Sequence, residues 1–152
     1  MKKYYTWSNM ESYTAELIRL MQLEGYSPQV VLGPGRGGYI PGVMLSHYFE
    51  IPFEGFLWQT RDGDVEDSVA LENILSKYNN HNILIVDDIN DTGTTLHSIA
   101  NVIDKNNLNS NVKYATIFTK QSSSFDNVDF SAVEIELDDD SWIVFPYEEW
   151  WK

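Results

Sequence analysis

The 152-residue sequence contains no cysteine, which excludes disulfides and thiol chemistry while saying nothing of redox compartment. Cationic residues are scarce as well. Ten Lys and Arg stand against 23 Asp and Glu, for a formal net charge of −13. Nonspecific nucleic-acid binding depends on neutralising phosphates, so so acidic a chain is read as having no nucleic-acid partner. No apolar run approaches the ~20 residues that a membrane span requires, so no membrane partner is expected. The basic start Met1-Lys2-Lys3 is not followed by the apolar stretch of a secretory signal, and a cytoplasmic location is the default expectation.

What is present points to a packed globular chain. Hydrophobic residues make up 43% and aromatics 14% of the chain, too much for a disordered polymer. The length suits one domain over residues 1–152 with a real core. Ser8 and Glu11 have capping-box spacing, and Met10, Tyr13, Leu17, Leu20 and Met21 recur at helical spacing before Gly25, predicting an amphipathic first helix. Val30–Leu32 reads as a buried strand. A second helix begins near Pro41, where proline is tolerated, and His47 on it is read as packed or solvated. Phe53–Gln59 reads as one strand, Val69–Tyr78 as a short helix, and Leu96–Ile103 as another helix. Val112–Phe118 reads as a strand and Val133–Leu137 as the last strand.

Two stretches carry chemistry. In Ile83–Leu96, four apolar, mostly β-branched residues run into Asp87, Asp88 and Asp91, and then into Thr92-Gly93-Thr94-Thr95 at the start of a helical pattern. A buried strand delivers such residues to the carboxyl edge of a sheet, where open α/β folds bind ligands. A glycine in a hydroxyl-rich turn lets backbone N–H groups close around an anion, and the helix N-terminus adds positive potential. The carboxylates would repel that anion, so they suit vicinal hydroxyls, a divalent metal or a proton. The second stretch is Gly33-Pro34-Gly35-Arg36-Gly37-Gly38, which holds four of the nine glycines. Such density suggests close backbone approach to a ligand, with Arg36 as its only charge.

The segment Asp87–Thr95 resembles the phosphoribosyl pyrophosphate (PRPP) motif of the type I phosphoribosyltransferases, and Gly35-Arg36-Gly37-Gly38 resembles their pyrophosphate loop. Two further segments are similar to the xanthine-guanine branch of that family. Thr116-Ile117-Phe118-Thr119-Lys120 matches a strand whose lysine donates to the purine O6. Asp140-Ser141-Trp142-Ile143, with Pro146, matches a hood whose tryptophan stacks the base. The family's mobile catalytic lid would fall in Thr60–Val69, where the match is poor. Arg61 is the candidate there for phosphate or leaving-group work, and Asp62, Asp64, Glu66 and Asp67 read equally as solvated surface.

The resemblance implies a central, mostly parallel sheet flanked by helices, with a small hood drawn mainly from 138–152. It implies transfer of ribose 5-phosphate from PRPP to a 6-oxopurine, guanine, xanthine or hypoxanthine, with release of pyrophosphate. Residues 92–95 would hold the 5-phosphate, and Asp87 and Asp88 the ribose hydroxyls and Mg²⁺. Gly35, Arg36, Gly37 and Arg61 would serve the pyrophosphate, Asp91 the purine N7 proton, and Lys120, Trp142 and Ile143 the base. Relatives are commonly dimers or tetramers, so a homo-oligomer is expected. A PRPP-sensing regulator without catalysis, or a transferase for another base, are the alternative readings.

Overall fold

In the computed structural model, residues 1–59, 65–106 and 109–152 are described. At its centre lie five parallel strands in the order β3-β2-β6-β7-β8: β2 (Val30–Pro34), β3 (Phe53–Phe56), β6 (Asn82–Asn90), β7 (Asn111–Lys120) and β8 (Phe130–Ile135). Period-two alternation sorts the central strands onto two buried faces. Val31, Leu84, Val86, Ala115 and Ile117 pack with Met10, Leu17 and Met21 of α1 (Trp7–Leu23) and Leu45 of α2 (Gly35–Phe49). Val30, Leu32, Ile83 and Ile85 pack with Leu71 and Leu75 of α3 (Ser68–Lys77) and Leu96, Ile99 and Ile103 of α4 (Thr94–Lys105). Most of these side chains are fully buried, each contributing roughly 1.5–3 kcal/mol relative to exposure.

The strand order sets the position of the site. β2 has β3 on one side and β6 on the other. The helix after β2 packs on one face of the sheet and the helix after β6 on the opposite face. The chain therefore diverges at the carboxyl ends of β2 and β6, and a crevice opens between two helix N-termini. The glycine segment and the Asp-Thr-Gly segment are the residues delivered there.

Several local expectations are corrected. The first helix is capped by Thr6, whose side chain accepts from the Asn9 amide at 3.1 Å while Asn9 Oδ1 accepts from the Thr6 amide at 2.9 Å, so the box is Thr6/Asn9 and not Ser8/Glu11. The glycine segment is largely helical: α2 starts at Gly35, and Pro41 lies inside it. Pro41 has no N–H to give the Gly37 carbonyl four residues back, which loosens the first turns just where the glycines lie. Phe53–Gln59 is broken at Leu57 into β3 and β4 (Trp58–Gln59), and β4 pairs antiparallel with β5 (Val65–Glu66). The strand expected over Val133–Leu137 is β8, and it is not the last. β9 (Trp142–Val144) pairs in parallel with β1 (Lys2–Tyr4), so the N-terminus also builds the hood region. Arg61, Asp62 and Asp64 lie outside the described residues.

Candidate active site

A cleft of about 910 Å³ opens at the carboxyl end of the sheet. It is lined by Gly35, Arg36 and Gly37, by Asp87 through Leu96, and by Lys120, Trp142 and Ile143. Every residue to which the resemblance gave a role toward PRPP, metal or base, Arg61 apart, thus borders one space.

At one end, Gly93 takes φ +95° as the N-cap of α4, a conformation L side chains rarely adopt. Thr92 and Thr94 hydroxyls lie 3.0 Å apart, and residues 92–96 line the cleft where the N-terminus of α4 adds positive potential, an arrangement that suits an anion. The turn is buttressed from behind by the segment that follows β7, together with Asn90 and His97. Ser124 donates through both its amide (3.0 Å) and its hydroxyl (2.9 Å) to the Thr92 carbonyl. Ser123 donates to Asn90 Oδ1 at 2.8 Å, and Asn90 Nδ2 donates to the Phe125 carbonyl at 2.9 Å. His97 Nε2 lies 3.0 Å from the Ser124 carbonyl. The loop touches Gly93 closely: a Cβ there would come within 2.5 Å of the Phe125 nitrogen. The run Ser122-Ser123-Ser124 directly after a strand end was the available signal for this support.

The middle of the cleft holds the paired carboxylates. Asp87 is buried, and its Oδ1 accepts from the Asp88 amide at 2.9 Å. Asp88 points across to α2, where a Cβ on Gly37 would stand 2.7 Å from its carboxyl carbon. Its Oδ2 accepts from the Tyr147 hydroxyl at 2.8 Å. Burial first, and then the Asp88 charge, push the Tyr147 phenol well above its ordinary value, so it remains a proton donor. Tyr147 was not anticipated; a single tyrosine in an aromatic tail carries no spacing that marks it.

Next to the turn in sequence, Asp91 Oδ1 forms an ion pair of 2.7 Å with Lys120 Nζ. Strand β9 also borders the cleft, with Ile143 buried and Trp142 half-exposed. The hood strands are held by exposed ion pairs, Lys2 to Glu149 at 2.6 Å and Lys3 to Asp139 at 2.7 Å. Hydrogen bonds from Lys2, Lys152 and Tyr4 outweigh desolvation and hold the Glu149 carboxyl down to about 2.

Among the described lining residues, five carboxylates (Asp87, Asp88, Asp91, Glu148, Glu149) meet two cations, Arg36 and Lys120. No group of three or more His, Asp or Glu among the described residues forms a cage for a metal ion. That donor set fits Mg²⁺, which commonly takes one or two carboxylates and completes its shell with water and substrate phosphates. An all-protein calcium- or zinc-type site is not offered by the described residues.

A model of the phosphoribosyl transferase domain matches residues 1–150. The chain belongs to the phosphoribosyltransferase family. It is accordingly an enzyme of the glycosyltransferase type. Among its relatives is the xanthine-guanine phosphoribosyltransferase of Idiomarina loihiensis, 25% identical over 148 residues, spanning 95% of this chain and 86% of that protein. A solved purine phosphoribosyltransferase from Pyrococcus horikoshii superposes with a TM-score of 0.73 at 29% identity, covering 97% and 95% of the two chains. The Helicobacter pylori xanthine-guanine-hypoxanthine phosphoribosyltransferase shares the fold at a TM-score of 0.74 and 18% identity, over 97% and 92%. In this phosphoribosyltransferase the expected parallel sheet with flanking helices is the observed fold.

Proposed function

We propose that this phosphoribosyltransferase transfers ribose 5-phosphate from PRPP to a 6-oxopurine, releasing pyrophosphate. The observation that supports this most is the Lys120–Asp91 pair, 2.7 Å apart among the residues that line the cleft. A 6-oxopurine presents adjacent O6 and N7–H groups, an acceptor beside a donor. Lys120 supplies a donor and Asp91 an acceptor, so the incoming base exchanges their mutual contact for one partner each. Adenine offers a 6-amino donor to Lys120, leaving two donors facing each other. Sites built on such pairing discriminate strongly, because the mismatched partner leaves polar groups unsatisfied. The names of the Idiomarina and Pyrococcus relatives, xanthine-guanine and purine phosphoribosyltransferase, agree with this choice.

The amides and hydroxyls of residues 92–95 hold the 5-phosphate, and Asp87 and Asp88 orient the ribose hydroxyls. Arg36 and the Gly35–Gly37 backbone receive the pyrophosphate. In the reaction the C1–oxygen bond to pyrophosphate breaks, its electron pair leaves with pyrophosphate, and a purine nitrogen forms the new bond to C1. Positive charge builds on the ribose, so catalysis is mainly positioning and electrostatics. Asp91 accepts the proton from N7. Asp87 and Asp88 would hold Mg²⁺ directly or through water, and the ion would neutralise phosphate charge that two cations in an acidic cleft leave uncompensated. The whole chain acts as one domain, its hood formed by 138–152 together with the first strand.

Lys120→Ala tests the reading. Loss of a charge-assisted bond of about 1.5–3 kcal/mol predicts a fall in kcat/KM for guanine of about tenfold to a hundredfold or more. PRPP affinity by calorimetry should change little. Unaltered guanine kinetics in this variant would remove Lys120, and with it the base assignment.

A further inference from the structure

The tail that carries the hood does not end at the base. Three residues beyond β9, Tyr147 turns back to the sugar end and gives its hydroxyl to Asp88 Oδ2 at 2.8 Å. Its ring is fixed independently of that bond. It stacks on Phe145 with centroids 5.3 Å apart and planes within 4°, and Phe145 in turn packs on Phe118 of β7 at 5.7 Å. Trp7 of α1 lies against it at 6.2 Å. The opposite side of the Asp88 carboxylate is closed by Gly37, where any side chain would come within 2.8 Å of all three carboxyl atoms. Asp88 is therefore clamped between the start of α2 and a phenol delivered by the hood.

We propose that Tyr147 is a positioning residue for PRPP binding, fixing the Asp88 carboxylate at the wall of the cleft through the bond to its Oδ2. A fixed carboxylate loses no rotamer freedom when a sugar diol or hydrated metal binds, and a short O–H to carboxylate bond is among the stronger neutral-donor contacts. The same bond couples the two substrates. Trp142 and Ile143 lie on the strand that leads into Tyr147, so a shift of the hood reaches Asp88 through three residues of chain. Coupling of this kind is reciprocal: the factor by which PRPP changes affinity for the base is the factor by which the base changes affinity for PRPP. The inference rests on the proposed role of Asp88 at the PRPP site.

Tyr147→Phe keeps the ring, its stacking and its burial, and removes only the hydroxyl. Calorimetry of PRPP binding across a Mg²⁺ series is the primary readout, with melting temperature and near-ultraviolet circular dichroism confirming the fold. Loss of one charge-assisted bond predicts a rise in PRPP Kd of about tenfold, together with a higher Mg²⁺ half-saturation. In an Asp88→Asn background the same change should alter Kd less than twofold, because the contact is already altered. Tyr4→Phe is the control. It removes a different hood hydroxyl, bonded to Glu149 at 3.1 Å, and should leave PRPP affinity unchanged. Wild-type PRPP affinity in Tyr147→Phe at every Mg²⁺ concentration overturns the proposal. So does an equal loss in Tyr4→Phe, or an undiminished effect in the Asp88→Asn background. Failure of the wild-type protein itself to bind PRPP would overturn the reading of the site and this inference with it.

Discussion

Gly37 and Asp88 show how closely single residues are matched in this cleft. Gly37 has an ordinary helical backbone, and its lack of a side chain matters because the Asp88 carboxyl carbon occupies the space 2.7 Å from where a Cβ would sit. Gly37→Ala should gain helix propensity of up to about 1 kcal/mol while displacing the carboxylate. The expected outcome is a melting temperature equal to or above the parent's, with PRPP affinity lower by at least about tenfold, read by calorimetry beside thermal unfolding. An unchanged affinity would show that Asp88 has room to retreat without consequence. The place of Asp87, Asp88 and Asp91 at the cleft was legible because a buried β-branched strand delivers the acids that follow it to the carboxyl edge of the sheet. Tyr147 was not, since its partner is 59 residues away and only the packing of Phe145 decides where its hydroxyl lands.

Among the elements, the Thr92–Thr95 turn and the hood differ in how much of them can be read from sequence. Strand β6 and helix α4 announce themselves by periodicity, and Gly93 between them by its place in the motif. Its φ of +95° and the Phe125 amide beside it make Gly93→Ala costly, about 1–3 kcal/mol by the strain of that region; denaturant unfolding should report it as a lower midpoint. The hood is harder, because β1 and β9 are three residues each and pair across some 140 positions of chain. Strands that short carry no alternation to detect, and Lys2-Lys3-Tyr4 read only as a basic start. Their clamp is electrostatic and depends on pH. Glu149 titrates at about 2 in the fold against 4.5 for an unperturbed carboxyl. Its contribution is present above the unfolded value and disappears as pH falls from about 4.5 toward 2. A carboxyl-carbon NMR titration should place the Glu149 midpoint near the lower figure, and Lys2→Met should move it upward. A midpoint unmoved by that substitution would dissociate Lys2 from the clamp.

At the scale of the whole molecule, stability and charge pull in the same direction at high pH. Burial, followed by the charge of Asp129, pushes the Tyr26 phenol above its ordinary value; burial, followed by Asp104 and Asp129, does so for Tyr114; burial and then Asp88 do so for Tyr147. The unfolded chain releases these protons near pH 10 whereas the folded chain keeps them, so the unfolded state binds fewer protons and stability falls as pH rises above about 10. Urea midpoints measured from pH 8 to 11 should be flat up to about 10 and drop beyond it; a flat profile to the end would mean that these phenols ionise without unfolding. The parallel sheet was legible through the resemblance of Gly35–Gly38 and Asp87–Thr95 to the family's motifs, and the delivery of those segments to its carboxyl edge through the buried strands that precede them. The extension of the site by its second layer, Asn90, Ser123, Ser124, His97 and Tyr147, was not, because it exists only where separate elements meet. The most direct measurement is nucleotide formation from PRPP and Mg²⁺ with guanine, xanthine, hypoxanthine and adenine offered separately. Turnover of one or more 6-oxopurines, with kcat/KM at least about a hundredfold above adenine, is the expected result. Adenine used as well as guanine, or no nucleotide from any base while PRPP binds, would contradict it.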